Sequence, residues 1–293
     1  LNLDLTLAQW VALSLIPRLG SRTLANLLDR FGSLDAILSA SDTELQTVPR
    51  IGPRLAAAIR AVDLARTQQE IAAWQADGIS IRLRKDGPPY PTALATLPDA
   101  PPVLFLRGTL RPEDTQAVAI VGTRRPALAS RKLAAALAGT LAASGWTVVS
   151  GLAEGIDTAA HEGALQAGGR TLAVLGCGVR AIYPPANAAL AVRIIRQGAV
   201  LSETHPDAPP DSPALVARNR LISGLSRAIV IVEAGAAGGC LYAARYARAQ
   251  ARVVYAVDHR SPGNQRLIAD GASPLPPESA AWEPFLADLA NRC

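Results

Sequence analysis

Three loops in this sequence carry residue types that can hold an anion. The first follows the apolar run Ala117-Val118-Ala119-Ile120-Val121 and reads Gly122-Thr123-Arg124-Arg125. A buried strand, a glycine turn bearing arginine and then a helix start aim backbone N–H groups and a guanidinium at one point. The planar, permanently charged guanidinium matches paired phosphate oxygens. The second loop is Ser150-Gly151-Leu152-Ala153-Glu154-Gly155-Ile156-Asp157. The third is Glu233-Ala234-Gly235-Ala236-Ala237-Gly238-Gly239. Its glycines Gly235, Gly238 and Gly239 let the backbone approach a ligand closely. The triplet Arg218-Asn219-Arg220 supplies two further guanidiniums around a capping or clamping amide. The chemistry implied is the reading of phosphate. These residues leave open whether the phosphate belongs to a nucleotide or to a nucleic acid.

Other reactive types give weaker signals. Asp157 and His161 stand four apart and could be read as an acid–base pair, but a helix cap and a packed histidine is the reading taken. Glu233 is expected to orient the glycine-loop amides or Arg220. Because i and i+2 do not share a helical face, one of Arg218 and Arg220 is expected to meet phosphate while the other braces the crevice. His205 and His259 have no partners at metal-ligand spacing, so no metal site is expected. Cys177, between Gly176 and Gly178, reads as a small turn residue, and Tyr183-Pro184-Pro185 as a rigid turn whose tyrosine could line the pocket.

The elements that position these loops alternate along the chain. Strands are expected near 79–83, 103–108, 117–121, 147–150, 171–175, 199–202, 228–232 and 252–257. Helices are expected near 130–143, 157–167, 187–197, 218–225, 240–250 and 263–270. The alternation implies an α/β fold with a mostly parallel, doubly wound sheet, the three loops lying at its carboxyl edge. Residues 1–70 are helical and repeat a hairpin, Ile16-Pro17-Arg18-Leu19-Gly20-Ser21-Arg22 and Val48-Pro49-Arg50-Ile51-Gly52-Pro53-Arg54. The division expected is a helical domain at 1–70, the α/β domain at 71–275 and a tail at 276–293, Pro-rich and then weakly helical.

Composition narrows the class. The chain has 293 residues, 49% hydrophobic and 18% charged, which excludes a disordered polymer. No apolar run approaches the ~20 residues of a membrane span. Leu1 stands where an initiator methionine would, so a trimmed start is expected. Cys177, Cys240 and Cys293 are odd in number and scattered, which suggests a reducing cytoplasm. The net charge of +5 suits a polyanion partner without requiring one. Aromatics at 4% are few for a protein that holds single strands by many stacked bases.

Over residues 80–272 the motifs resemble the DNA processing protein A family (DprA/Smf). They run in order: Tyr90-Pro91, Gly108, Val121-Gly122-Thr123-Arg124, Ser150-Gly151-Leu152-Ala153, Gly155-Ile156-Asp157 with His161, Tyr183-Pro184, Ser202-Glu203, Arg218-Asn219-Arg220 and Glu233-Ala234. The N-terminal repeat resembles paired helix-hairpin-helix motifs in a sterile-alpha-motif-like module. The resemblance implies an extended Rossmann-like fold that binds single-stranded DNA, forms a homodimer and delivers DNA to the RecA recombinase in natural transformation. It implies neither an enzyme nor a cofactor. The implied DNA-binding residues are Gly122, Thr123, Arg124, Arg125, Arg218, Asn219, Arg220, Gly235, Gly238 and Gly239.

The chain departs from the pattern in places. Leu215-Val216 stands where the family often has Phe-Pro, so a stacking ring is missing there. Gly238-Gly239-Cys240-Leu241-Tyr242-Ala243-Ala244 replaces a hydroxyl-rich loop, so phosphate binding would use amides. Arg18 and Arg50 stand in place of the first glycine of each hairpin. The alternative is a nucleotide N-glycosidase of the lysine-decarboxylase-like type, which needs an acid on the helix after the glycine loop; Cys240 to Ala251 contains none. A dinucleotide oxidoreductase is excluded because no Gly-x-Gly-x-x-Gly follows the first strand of the α/β alternation.

Overall fold

The computed structural model describes residues 2–291; Leu1, Arg292 and Cys293 lie outside them, and with Cys293 its part in the cysteine reading. Six helices come first: α1 (Asn2–Ser14), α2 (Ser21–Phe31), α3 (Leu34–Ser39), α4 (Asp42–Leu45), α5 (Pro53–Arg60) and α6 (Leu64–Ala76). In both hairpins the apolar residues Ile16, Leu19, Val48 and Ile51 turn inward, and the arginine at the tip is exposed. Arg18 (φ 71°) and Arg50 (φ 73°) adopt the left-handed backbone that glycine ordinarily supplies, so the hairpin shape survives the substitution.

The helical module packs directly onto the α/β part of the chain. Ala8 and Val11 of α1 share a core with Ile71 and Trp74 of α6 and with Phe105, whose ring meets Trp74 edge-on at 5.5 Å. The boundary expected after residue 70 falls inside α6.

The remaining elements are β1 (Ser80–Leu83), α7 (Thr92–Ala95), β2 (Val103–Gly108), β3 (Ala117–Val121), α8 (Leu128–Ala143), β4 (Thr147–Ser150), α9 (Ile156–Gln166) and β5 (Thr171–Val174). Then come α10 (Ala188–Gln197), β6 (Ala199–Ser202), α11 (Ser212–Ala217), α12 (Asn219–Gly224), β7 (Ala228–Ile231), α13 (Gly239–Ala249), β8 (Val253–Val257), α14 (Pro262–Ala269), β9 (Ser273–Leu275) and α15 (Glu283–Asn291). One sheet runs β1-β2-β6-β5-β4-β3-β7-β8-β9. Among the described residues, only the β1–β2 and β2–β6 pairings are antiparallel. The α/β, mostly parallel, doubly wound architecture expected from the alternation is therefore present.

All five residues of β3 are buried, as a central strand covered on both faces requires. Ala117, Ala119 and Val121 face a layer that includes α7, α12 and α13. Val118 and Ile120 face α8 and α9. Burying each of these branched side chains contributes about 1.5–3 kcal/mol before conformational entropy is counted.

Some elements exceed the sequence reading. α11 is only six residues long, too short to show a periodicity, and is capped by Asp211, which accepts from the Ala214 N–H at 3.4 Å. The tail does not hang free: β9 pairs with β8, and Trp282, Phe285 and Leu289 join the core beneath Val118 and Ile120. No helix among the described residues is long and apolar enough to cross a membrane.

Candidate nucleic-acid interface

The sheet order fixes where a site can form. From β3 the chain steps through β4, β5 and β6 on one side, then returns to build β7, β8 and β9 on the other. β3 and β7 meet at this reversal, so the loops after them diverge and leave a crevice at the carboxyl edge.

The loop after β3 is clamped from both sides. Thr123 N–H donates to the Glu233 carbonyl at 2.8 Å, and Ile156 N–H donates to the Thr123 carbonyl at 3.3 Å. Ala127 N–H donates to the Glu233 carboxylate at 3.0 Å. Glu233 thus holds the arginine loop, not its own glycine loop or Arg220. Gly155, at φ 83°, lies so close that a Cβ there would stand 2.5 Å from the Thr123 carbonyl oxygen. This frame leaves the Arg124 and Arg125 side chains exposed, and neither guanidinium has an ion pair or hydrogen bond among the described residues.

The crevice has a volume of about 570 Å³, and nine of the ten expected site residues line it, all but Arg220. Gly235, Gly238 and Gly239 are exposed along one wall. Gly238 precedes α13 and supplies no side-chain cap, which leaves the first N–H groups of α13 to the crevice. Asn219 fastens this wall from below: its amide Nδ2 donates to the Gly239 carbonyl at 3.3 Å. The clamp role expected of Asn219 is what the geometry provides.

Arg218 forms the floor. It is 6% exposed, and its guanidinium donates to the Gly151 and Val174 carbonyls. Asp157 Oδ2 lies 4.0 Å from it. Burial lowers the Arg218 pKa, and the Asp157 charge opposes that shift. Burial also pushes the Asp157 carboxyl up, while Arg218 and the amides of Ala153 and Gly151 pull it back. Asp157 does not cap α9, as the sequence suggested. The cap position is Gly155, and the Asp157 carboxylate instead accepts from Gly151 N–H at 3.2 Å and Ala153 N–H at 3.3 Å. The left-handed turn at Gly155 starts the helix two residues early and swings the carboxylate under the loop.

Arg220 is where the expectation and the structure part. It bonds the Glu203 carboxylate and lies 3.8 Å from Asp99, away from the crevice. The cause is the i, i+2 relation on α12, which turns the two arginines to different faces.

The remaining reactive groups are quiet. His161 is wholly buried, with Nδ1 2.6 Å from the Thr171 hydroxyl, and burial depresses its pKa to about 3. Because that hydroxyl donates to the Val148 carbonyl, it accepts from His161, which assigns the proton to Nδ1. Burial raises the Cys240 thiol to about 11, and Cys177 is also pushed up, so both remain protonated and poor nucleophiles near neutrality.

Fold and site together define a Rossmann-like α/β protein with an open crevice of arginine and glycine at its topological switch. The chain belongs to the DNA recombination-mediator protein A family, whose model matches residues 82–284, and a helix-hairpin-helix motif matches residues 9–69. It is 32% identical to the DNA processing protein DprA of Bacillus subtilis over 269 residues, covering 89% of this chain and 90% of that protein. The X-ray structure of DprA from Streptococcus pneumoniae superposes with a TM-score of 0.77 at 30% identity, covering 91% of this chain and 92% of that one. The structure of DNA processing protein A from Helicobacter pylori, described for its single-stranded DNA binding mode, superposes with a TM-score of 0.63 at 30% identity, covering 73% of this chain and 94% of that one. The chain spans about half the length of several other curated relatives that it matches.

Proposed function

We propose that the crevice binds single-stranded DNA by its phosphates and that a homodimer of the protein presents the strand to a RecA recombinase, in transformation and recombination. The observation that carries the binding reading is Arg124: an exposed guanidinium without a partner among the described residues, on a loop clamped by Glu233 and Ile156, beside the open amides of Gly238 and Gly239. A rigid loop loses little entropy when it meets a phosphate. The single-stranded DNA named for the Helicobacter relative supports the choice of ligand, and the recombination-mediator description of the family supports a role beside a recombinase. Catalysis forms no part of the reading.

Fluorescence anisotropy with labelled oligonucleotides tests it. Single strands are expected to bind more tightly than duplex at matched salt, with little sequence preference and a log–log salt slope near −0.7 per phosphate neutralised. Equal affinity for both forms overturns the reading. Release of free base from AMP, lost in Glu233→Gln, would establish the N-glycosidase in its place.

A further inference from the structure

Aromatic residues are scarce in this chain, yet one lines the crevice and a second lies in the first turn of the helix that bounds it. Five large apolar side chains are exposed among the described residues: Leu5, Leu128, Tyr183, Val192 and Tyr242. Three of the five adjoin the crevice loops. Tyr183, 37% exposed, lines the crevice and also a small recess of about 60 Å³ that it shares with Arg124 and Arg218. Tyr242, 47% exposed, lies in the first turn of α13, three residues after Gly239. Leu128, 68% exposed, opens α8 just beyond the arginine loop.

Neither phenolic hydroxyl has a hydrogen-bond partner among the described residues, and neither ring stacks on another aromatic residue. Helical side chains lean toward the N-terminus of their helix, and in α13 that is the end where Gly238 and Gly239 lie. The sheet order sets the two rings on opposite sides. Tyr183 follows β5, Tyr242 follows β7, and β4 and β3 lie between. Three strand spacings separate β5 from β7, about 14 Å, with Arg124 between them on the loop after β3.

We propose that Tyr183 and Tyr242 are stacking platforms for the bases of the bound strand, one at each side of the phosphate-reading loop. This inference rests on the crevice reading above and adds the bases to what the crevice recognises. Every base offers a π-face, so two platforms give affinity without sequence preference.

The test compares an oligothymidylate with an abasic oligonucleotide of equal length and phosphate count. The wild-type protein is expected to prefer the oligothymidylate. Tyr183→Ala and Tyr242→Ala are each expected to lose about fivefold or more on the oligothymidylate, with little change on the abasic strand. Tyr183→Phe and Tyr242→Phe keep the ring and are expected to retain wild-type binding. Equal losses on both strands, or no loss on either, overturn the stacking assignment. Arg124→Ala separates the two readings. If it weakens both strands alike while the tyrosine variants behave as wild type, the crevice stands and the stacking fails. If it changes neither strand, the crevice reading fails and the stacking with it.

Discussion

The Arg218 guanidinium faces the Asp157 carboxylate at 4.0 Å, and both side chains are only 7% exposed. This buried pair is the floor on which the crevice loops rest. Gly151 and Ala153 donate to Asp157, Gly151 accepts from Arg218, and a Cβ at Gly151 would stand 2.5 Å from the guanidinium carbon. The pair ties α9 and the turn into α12 to the ends of β4 and β5.

Arg218→Leu is expected to destabilise the protein strongly, by about 3–5 kcal/mol, because it strands a buried carboxylate and two carbonyls. Asp157→Asn in the same chain should recover part of that loss, since the amide carries no charge to leave unpaired. Urea denaturation of the two variants checks both statements. A stability change below about 1 kcal/mol in Arg218→Leu would show that the pair is not holding the floor.

Arg124→Ala is expected to behave in the opposite way. Its side chain is exposed and makes no bond within the protein among the described residues, so the melting temperature should stay at the wild-type value. A charge-assisted bond to phosphate contributes on the order of 1.5–3 kcal/mol, so affinity for single strands should fall about tenfold or more. Arg124→Lys should recover part of it, because the charge returns without the planar fork. Oligonucleotide titration alongside calorimetry separates binding from folding.

Gly155→Ala is expected to damage binding through the backbone. The residue sits at φ 83°, and the added Cβ would meet the Thr123 carbonyl oxygen at 2.5 Å and the Arg124 carbonyl oxygen at 2.7 Å. Strain of about 1–3 kcal/mol should appear in denaturation, together with weaker DNA binding as the arginine loop is displaced. Gly145→Ala is the control. It has a similar φ of 82° but nothing within 4 Å of its Cβ, so it should cost stability without affecting binding.

His161 gives the fold a sensitivity to acid. Its folded pKa of about 3 lies below the ordinary histidine value of 6.5, so the unfolded chain binds the extra proton between those limits. Stability from this group is full above pH 6.5 and is lost as pH falls toward 3. Asp157, with its carboxyl raised, acts with the opposite sign, so the histidine effect is best read as a difference between variants. Between pH 7.5 and 4.5 the wild type should lose about 2–3 kcal/mol more than His161→Leu. Parallel pH profiles for the two proteins would sink this account.

Much of the architecture was legible in the order of residues. Buried strands such as 117–121, glycine turns and helix starts depend on neighbours in the chain, and the parallel sheet comes from their alternation. The crevice was legible for the same reason, since loops that leave parallel strands share one edge of the sheet. Even the repeated hairpins could be read, although only the structure shows Arg18 and Arg50 taking up the left-handed backbone of the glycines they replace.

What the tertiary structure alone decided is the task of each charge. Arg218 and Arg220 differ in sequence position by two, and nothing local tells them apart. Arg218 went to the floor because carbonyls 67 and 44 residues away converge on it, and Arg220 went to a carboxylate 17 residues away on another face. Asp157 likewise left its expected cap for the amides of the loop above it. Desolvation makes such choices nonlocal. A buried charge must be met by whatever partners the whole fold brings within reach, whereas Arg124, left in water by its clamped loop, stayed free to meet a ligand.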